Sequence, residues 1–148
     1  MDSAAPAAVR PAGPEDADAV AALAAELAQS FPFDVGRFRA SYPALLADDS
    51  ACLLLATGGA EPLGYLLGFT HLTFFANGPV GWVEEVCVAP GGRGRGTGRA
   101  LMAAFEDWAA GRGAALVALA TRRAAPFYRA LGYEESAVYF RKLRPGNG

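Results

Sequence analysis

The chain has 148 residues, 53% hydrophobic and 19% charged, which suits a folded domain with a buried core and excludes a disordered chain. Its net charge of −2 argues against a general nucleic-acid binder, and no apolar run approaches bilayer length. The charge is uneven: residues 1–92 carry three Arg or Lys against eleven Asp or Glu, and residues 93–148 carry ten against four. A polyanionic ligand is therefore expected on the C-terminal half.

The opening MDSAAPAAVRP has no basic start followed by an apolar core, so no secretory signal is expected. A cytoplasmic protein with Cys52 and Cys87 as reduced, buried thiols follows from that reading. Ala8-Val9-Arg10 reads as a first strand, stopped by Pro11, Gly13 and Pro14. Pro14 followed by early acids, with Val20, Leu23 and Leu27 at helical spacing, predicts an amphipathic helix. A second helix is expected around residues 34–47.

ACLLLAT (51–57) reads as a buried strand, and the turn GGAEP joins it as a hairpin to LGYLLGFTHLTFF. Asn77-Gly78-Pro79 breaks the chain before the strand GWVEEVCVAP (81–90). GTGRALMAAFEDWAAGRG predicts a helix with Leu101, Met102, Phe105 and Trp108 on one face. ALVALAT (115–121), wholly apolar, predicts a short strand covered on both faces. A short helix in AAPFYRALGY and a last strand over 136–143 complete the order. The expectation is one domain over residues 1–148, of mixed α/β class.

Between the strand ending at Val88 and the following helix, residues 91–99 hold five glycines and three arginines. Backbone N–H groups at a helix N-terminus seat phosphate, glycine lets an anion approach them, and Arg93, Arg95 and Arg99 add charged donors. A Walker loop needs a lysine that is absent here, and the alternating glycines at 92, 94, 96 and 98 lack the last gap of a dinucleotide fingerprint. A solvated structural turn and an arginine-glycine RNA tract are the remaining alternatives.

Val88 to Gly98 follows V-x-P-x-x-[RQ]-x-x-G-x-[GA], which resembles the acetyl-CoA-binding motif of the GNAT N-acetyltransferases. PFYRALGYEES (126–136) is similar to the later motif of that family, and VRPAGPEDADAVAAL to its first strand and helix. The resemblance covers almost the whole chain and implies the GNAT fold, a mixed, mostly antiparallel central sheet flanked by helices. It implies acetyl-CoA as acetyl donor and transfer to a primary amine of a small molecule or peptide by direct attack; no Cys/His spacing in the sequence suggests a metal. It places the pyrophosphate on the N–H groups of Arg93, Gly94, Arg95, Gly96, Thr97 and Gly98, with Arg99 nearby, and the pantetheine arm along Val86, Cys87 and Val88. Thr121 stands where many members carry an asparagine that contacts that arm.

The resemblance also implies the chemistry. The Val88 N–H would face the thioester oxygen, an oxyanion role. Period-two alternation would put Glu84 on the same face as Val88, where the family places a general base, while Glu85 would point to the other face as the second choice. Tyr128 would protonate the departing thiolate. Phe31, Phe33, Asp34 and Glu85 would shape the acceptor pocket, and His71 is read as structural. Members are often homodimers, and the apolar hairpin and last strand would supply an interface. A non-catalytic acyl-CoA sensor or partner subunit is the alternative to an enzyme. No nucleic-acid or membrane partner is expected.

Overall fold

A computed structural model describes residues 7–28 and 31–145, so the start of the supposed leaderless N-terminus, residues 1–6, lies outside the described residues. In chain order the elements are β1 Ala8–Pro11, α1 Ala17–Leu27, α2 Val35–Leu46, β2 Ala51–Gly58, β3 Glu61–Thr73, β4 Gly78–Val88, α3 Thr97–Gly111, β5 Val117–Leu119 and α4 Ala125–Ala130. Single 3₁₀ turns at Pro14–Asp16 and Pro90–Gly92 lead into α1 and towards α3. Among the described residues no helix is long and apolar enough to cross a membrane.

The strands form one sheet in the order β1-β2-β3-β4-β5. The first three pairings are antiparallel, and β4 pairs with β5 in parallel across the α3 crossover. The expected mixed, mostly antiparallel sheet flanked by helices is the one observed.

Each face of the sheet has its own core. Leu101, Met102 and Phe105 of α3 are fully buried and pack on Leu54, Leu66 and Val83, the helical stripe expected from their spacing. Trp108 extends that stripe half-buried, with the Arg112 guanidinium 4.5 Å from its ring centre. On the other face Val20 and Leu23 of α1 and Tyr42 of α2 close over Leu53, Leu55, Tyr65 and Cys87. Both cysteines are buried free thiols, and burial raises the Cys52 thiol to about 11.

The sequence-based expectations fail at three places, all on the β4–β5 side. Residues 136–143 form no strand: they are exposed and make no ladder, because strand-forming composition gives a propensity and not a partner. Of the apolar run 115–121 only Val117–Leu119 is strand, half-buried at the sheet edge and not covered on both faces. The alternation in β4 is interrupted as well. Leu67 pairs with Glu85 while the next residue, Gly68, pairs with Val83, so Glu84 is the extra residue of a β-bulge. Val83 packs with the α3 face, whereas Glu85 bonds Tyr65 and joins Cys87 on the opposite face. Counting by twos from Val88 to Glu84 therefore does not fix the face of Glu84.

Candidate active site

The bulge also decides where β4 is left open. β5 follows β4 only over Gly81–Val83, its last pair being Val83 with Leu119, and the pairing stops where the extra residue Glu84 turns the strand. From Glu84 to Val88 the side of β4 away from β3 has no strand beside it among the described residues. Ala89 donates its N–H to Leu63 O at 2.8 Å, so alternation turns the N–H and C=O groups of Val88 and Val86 towards that open side. Cys87 is placed differently. Its backbone turns to β3, and its thiol is buried and donates to Leu23 O at 3.3 Å.

The glycine-rich turn follows directly. A Cβ on Gly92 would stand 2.7 Å from Leu63 O, so only glycine lets the turn lie against β3. Gly94 and Gly96 have φ of 75° and 74°, the left-handed region that L side chains avoid. Gly96 caps α3, whose first intrahelical bond is Ala100 N–H to Gly96 O at 2.9 Å. The N–H groups of Thr97, Gly98 and Arg99 precede that bond and form the positive end of the helix dipole. Thr97 is buried, and its hydroxyl donates to Gly92 O at 2.7 Å, closing the turn from inside.

The three arginines of the turn divide. Arg93 and Arg99 are exposed. The Arg95 side chain folds across to the β2–β3 turn instead, donating to Gly91 O at 3.0 Å and lying 3.9 Å from Glu61. A Cβ on Gly58 would stand 2.5 Å from its Nη2. Arg95 thus anchors the loop by its side chain and offers a ligand its backbone.

The second motif meets the first at α4. A Cβ on Gly98 would be 3.1 Å from the ring of Phe127, so the start of α3 and α4 touch there. The neighbouring Tyr128 faces a cleft of about 1350 Å³ that is also lined by Trp82, Val83 and Glu84 from β4, Glu106 from α3, and residues 116–122 around β5. Burial raises the Tyr128 phenol above its ordinary value, and its hydroxyl has no hydrogen-bond partner among the described residues. The Thr121 hydroxyl accepts the Ala124 N–H at 3.0 Å and so caps the approach to α4, on the wall of the same cleft.

The two acids of β4 are held apart in role. Glu84 is exposed at the cleft and accepts a hydrogen bond from Trp82 Nε1 at 3.1 Å. Glu85 accepts the buried Tyr65 hydroxyl at 2.7 Å, and burial together with this carboxylate drives the Tyr65 phenol far up. Phe31, Phe33 and Asp34 do not line the cleft. Phe31 is exposed, Phe33 stacks on Phe38 at 5.7 Å, and Asp34 caps α2 by accepting the Arg37 N–H at 3.1 Å. Sequence reasoning passed over Trp82, Glu106 and Tyr133. The signal for Trp82 was available, since it stands two residues before Glu84 in one strand.

The chain matches the Acetyltransferase (GNAT) family over residues 20–133. It is 34% identical over 140 residues to the aminoalkylphosphonate N-acetyltransferase of Salmonella typhimurium, covering 90% of this chain and 89% of that protein. It is also 34% identical over 106 residues to the aminoglycoside N(6')-acetyltransferase type 1 of Stenotrophomonas maltophilia, covering 65% and 69% of the two chains. Among solved structures, AAC(6')-Iy in complex with the bisubstrate analogue CoA-S-monomethyl-acetylneamine superposes with a TM-score of 0.79 at 23% identity, over 93% of this chain and 98% of that one. That last likeness is one of fold. The chain belongs to the GNAT family of N-acetyltransferases and is an acetyl-transfer enzyme, of a family whose donor is acetyl-CoA.

Proposed function

We propose that this chain transfers the acetyl group of acetyl-CoA to the primary amine of a small molecule by direct attack, with Glu84 as general base and Tyr128 as general acid. The observation that carries the reading is the open side of β4 beyond the bulge, set between the glycine-rich turn and the Tyr128 cleft. The N–H groups at the start of α3, with Arg93 and Arg99, seat the pyrophosphate. Val86 and Val88 offer N–H and C=O groups to the pantetheine amides, as a strand edge accepts a further strand. The Val88 N–H donates towards the thioester oxygen as charge develops there.

A protonated amine must lose a proton before it attacks. Of the two acids of β4, Glu84 is the one exposed on the cleft, held only by the Trp82 indole, and it takes that proton, whereas Glu85 is engaged by Tyr65. The Tyr128 phenol, like any tyrosine, holds its proton at neutral pH, burial moves its pKa further up, and it delivers that proton to the departing sulfur. The two relatives, an aminoalkylphosphonate and an aminoglycoside N-acetyltransferase by name, support a small amine as acceptor.

Titration calorimetry with acetyl-CoA tests the donor site, using wild type and Gly96→Glu. Wild type should bind at a micromolar Kd, about −8 kcal/mol. The variant should lose binding, because a glutamate at φ 74° strains the cap and adds negative charge where the pyrophosphate sits. No binding to the wild type would overturn the reading. Release of free CoA with a panel of aminoalkylphosphonates, aminoglycosides and peptides then identifies the acceptor class, and no turnover with any of them, despite binding, would favour the sensor.

A further inference from the structure

Glu84 stands where the sheet gives way, and Trp82 stands where the sheet still holds. Trp82 pairs with Phe69 of β3 on one side and with Ala118 of β5 on the other, so its half-buried ring is carried on backbone fixed from two directions. Glu84, two residues on, is the extra residue of the bulge, exposed and beyond the last pair with β5. A glutamate left alone in such a place spreads over several rotamers. This one is not left alone. The Trp82 Nε1–H donates to its Oε1 at 3.1 Å, and Trp82 is its one hydrogen-bond partner among the described residues. Arg122, Arg129 and Arg141 line the same cleft, and no ion pair joins any of them to Glu84 among the described residues. An indole N–H can only donate, and a half-buried one needs an acceptor. Donor and acceptor both lie on the wall of the cleft that Tyr128 faces.

We infer that Trp82 is a positioning residue of the transfer: its N–H holds Oε1 of Glu84 and leaves Oε2 to meet the proton of the acceptor amine. The inference rests on the proposed role of Glu84 as general base. A base works only within hydrogen-bond reach of the proton it takes, and a misplacement of about 1 Å costs on the order of 10² in rate. The bulge frees the Glu84 side chain from the ladder and so removes the frame that would hold it. Trp82, the neighbour still laddered on both sides, gives that frame back through a single hydrogen bond. Phenylalanine could fill the same place in the ladder and would donate nothing. The role belongs to the N–H, so a ring without it should lose the effect.

Two measurements test it, and the first needs no acceptor. The chain has two tryptophans, Trp82 and Trp108, so a nitrogen–proton correlation spectrum holds two indole signals, and Trp82→Phe assigns them. In Glu84→Ala the Trp82 signal should shift and its hydrogen exchange quicken, while the Trp108 signal stays in place. An unmoved Trp82 signal would overturn the inference. The second is CoA release with aminoethylphosphonate and with kanamycin as acceptors, on wild type, Trp82→Phe, Glu84→Gln and the double variant. Trp82→Phe should lower kcat by about 10- to 100-fold, with acceptor KM and acetyl-CoA affinity nearly unchanged. In the Glu84→Gln background the same change should cost less than about twofold, because the carboxylate it steadies is gone. An equal loss in both backgrounds, or a rise in KM at constant kcat, would make Trp82 a wall of the acceptor pocket and overturn the inference. If Trp82→Phe melts below the assay temperature, benzothienylalanine at residue 82 takes its place with the same expectations, since it keeps the ring size and carries sulfur in place of the N–H. Failure of the base reading looks different. Glu84→Gln at wild-type kcat, or a wild type that releases no CoA with either acceptor, ends that reading and this inference with it. A slow Glu84→Gln beside an unimpaired Trp82→Phe ends this inference alone.

Discussion

The hydroxyl of Tyr133 donates a 2.5 Å hydrogen bond to Glu106 Oε2, joining the turn after α4 to the middle of α3. The same tyrosine donates its backbone N–H to Tyr128 O at 3.0 Å, and its ring stands edge-on to that of Tyr128 at 5.9 Å. Burial and the bond to Glu106 hold its phenol well above the ordinary value, so the donor proton stays in place across the working pH range. Tyr133 is thus the brace behind the proposed acid. Removing its hydroxyl in Tyr133→Phe should destabilise the fold by about 1–2 kcal/mol, since the acceptor is charged. It should lower kcat severalfold at unchanged acetyl-CoA affinity, and thermal melts with calorimetry check both. A variant with wild-type melting temperature would remove the brace from the account.

Tyr128→Phe separates chemistry from binding. The ring keeps its T-shaped contact with Phe127 at 4.9 Å, and the hydroxyl has no partner to lose among the described residues. Stability and acetyl-CoA affinity should therefore change little. Loss of a positioned general acid typically costs about 10²–10⁴ in rate, and kcat should fall within that range. Because burial raises the Tyr128 pKa, wild-type activity should persist into alkaline pH and fall only as the phenol deprotonates. A kcat equal to wild type would end the general-acid role.

Most of this architecture was legible in the sequence where spacing maps onto burial. The period of Leu101, Met102 and Phe105 named the buried face of α3, and the glycine spacing named the turn before it. What the sequence did not disclose were events between strands. Nothing in WVEE says that Glu84 will be an extra residue in its ladder, because a bulge is set by the register of β3 against β4. For the same reason SAVYFRKL reads as a strand and yet joins no ladder among the described residues. Arg95 and Asp34 looked like ligand contacts by charge, and their side chains are spent on Gly91 and Arg37, which only the fold brings within reach.

The bulge gives the two neighbouring glutamates opposite expectations. Glu84→Gln keeps an acceptor for Trp82 and removes only the basic oxygen, so kcat should fall by about 10²–10⁴ with the melting temperature nearly unchanged. Glu85→Ala strips the acceptor from a buried phenol, leaving Tyr65 unsatisfied at a cost of about 1–3 kcal/mol, with a smaller effect on kcat. Steady-state kinetics and melts on both proteins decide the assignment. A larger kcat loss in a folded Glu85→Ala would transfer the base to Glu85.

Asp16 governs stability in acid. It is 7% exposed and accepts two bonds from the Arg10 guanidinium, at 2.7 and 2.9 Å, and one from Gly13 N–H at 2.8 Å. The Arg10 bonds first, and the Gly13 bond after them, lower its pKa from 3.8 to about 2. A carboxylate whose folded pKa lies below its unfolded one adds stability that is fully present above the unfolded value and lost as pH falls through the folded value. Wild type should therefore lose this contribution between about pH 4 and pH 2. Asp16→Asn, which offers Arg10 a single neutral oxygen, should be less stable at neutral pH by about 1.5–3 kcal/mol. Melting curves of the two proteins should lie apart at pH 7 and draw together below pH 3, as the other carboxylates titrate alike in both. A gap that stays constant down to pH 2 would mean that the Arg10 pair contributes through packing and not through its charge.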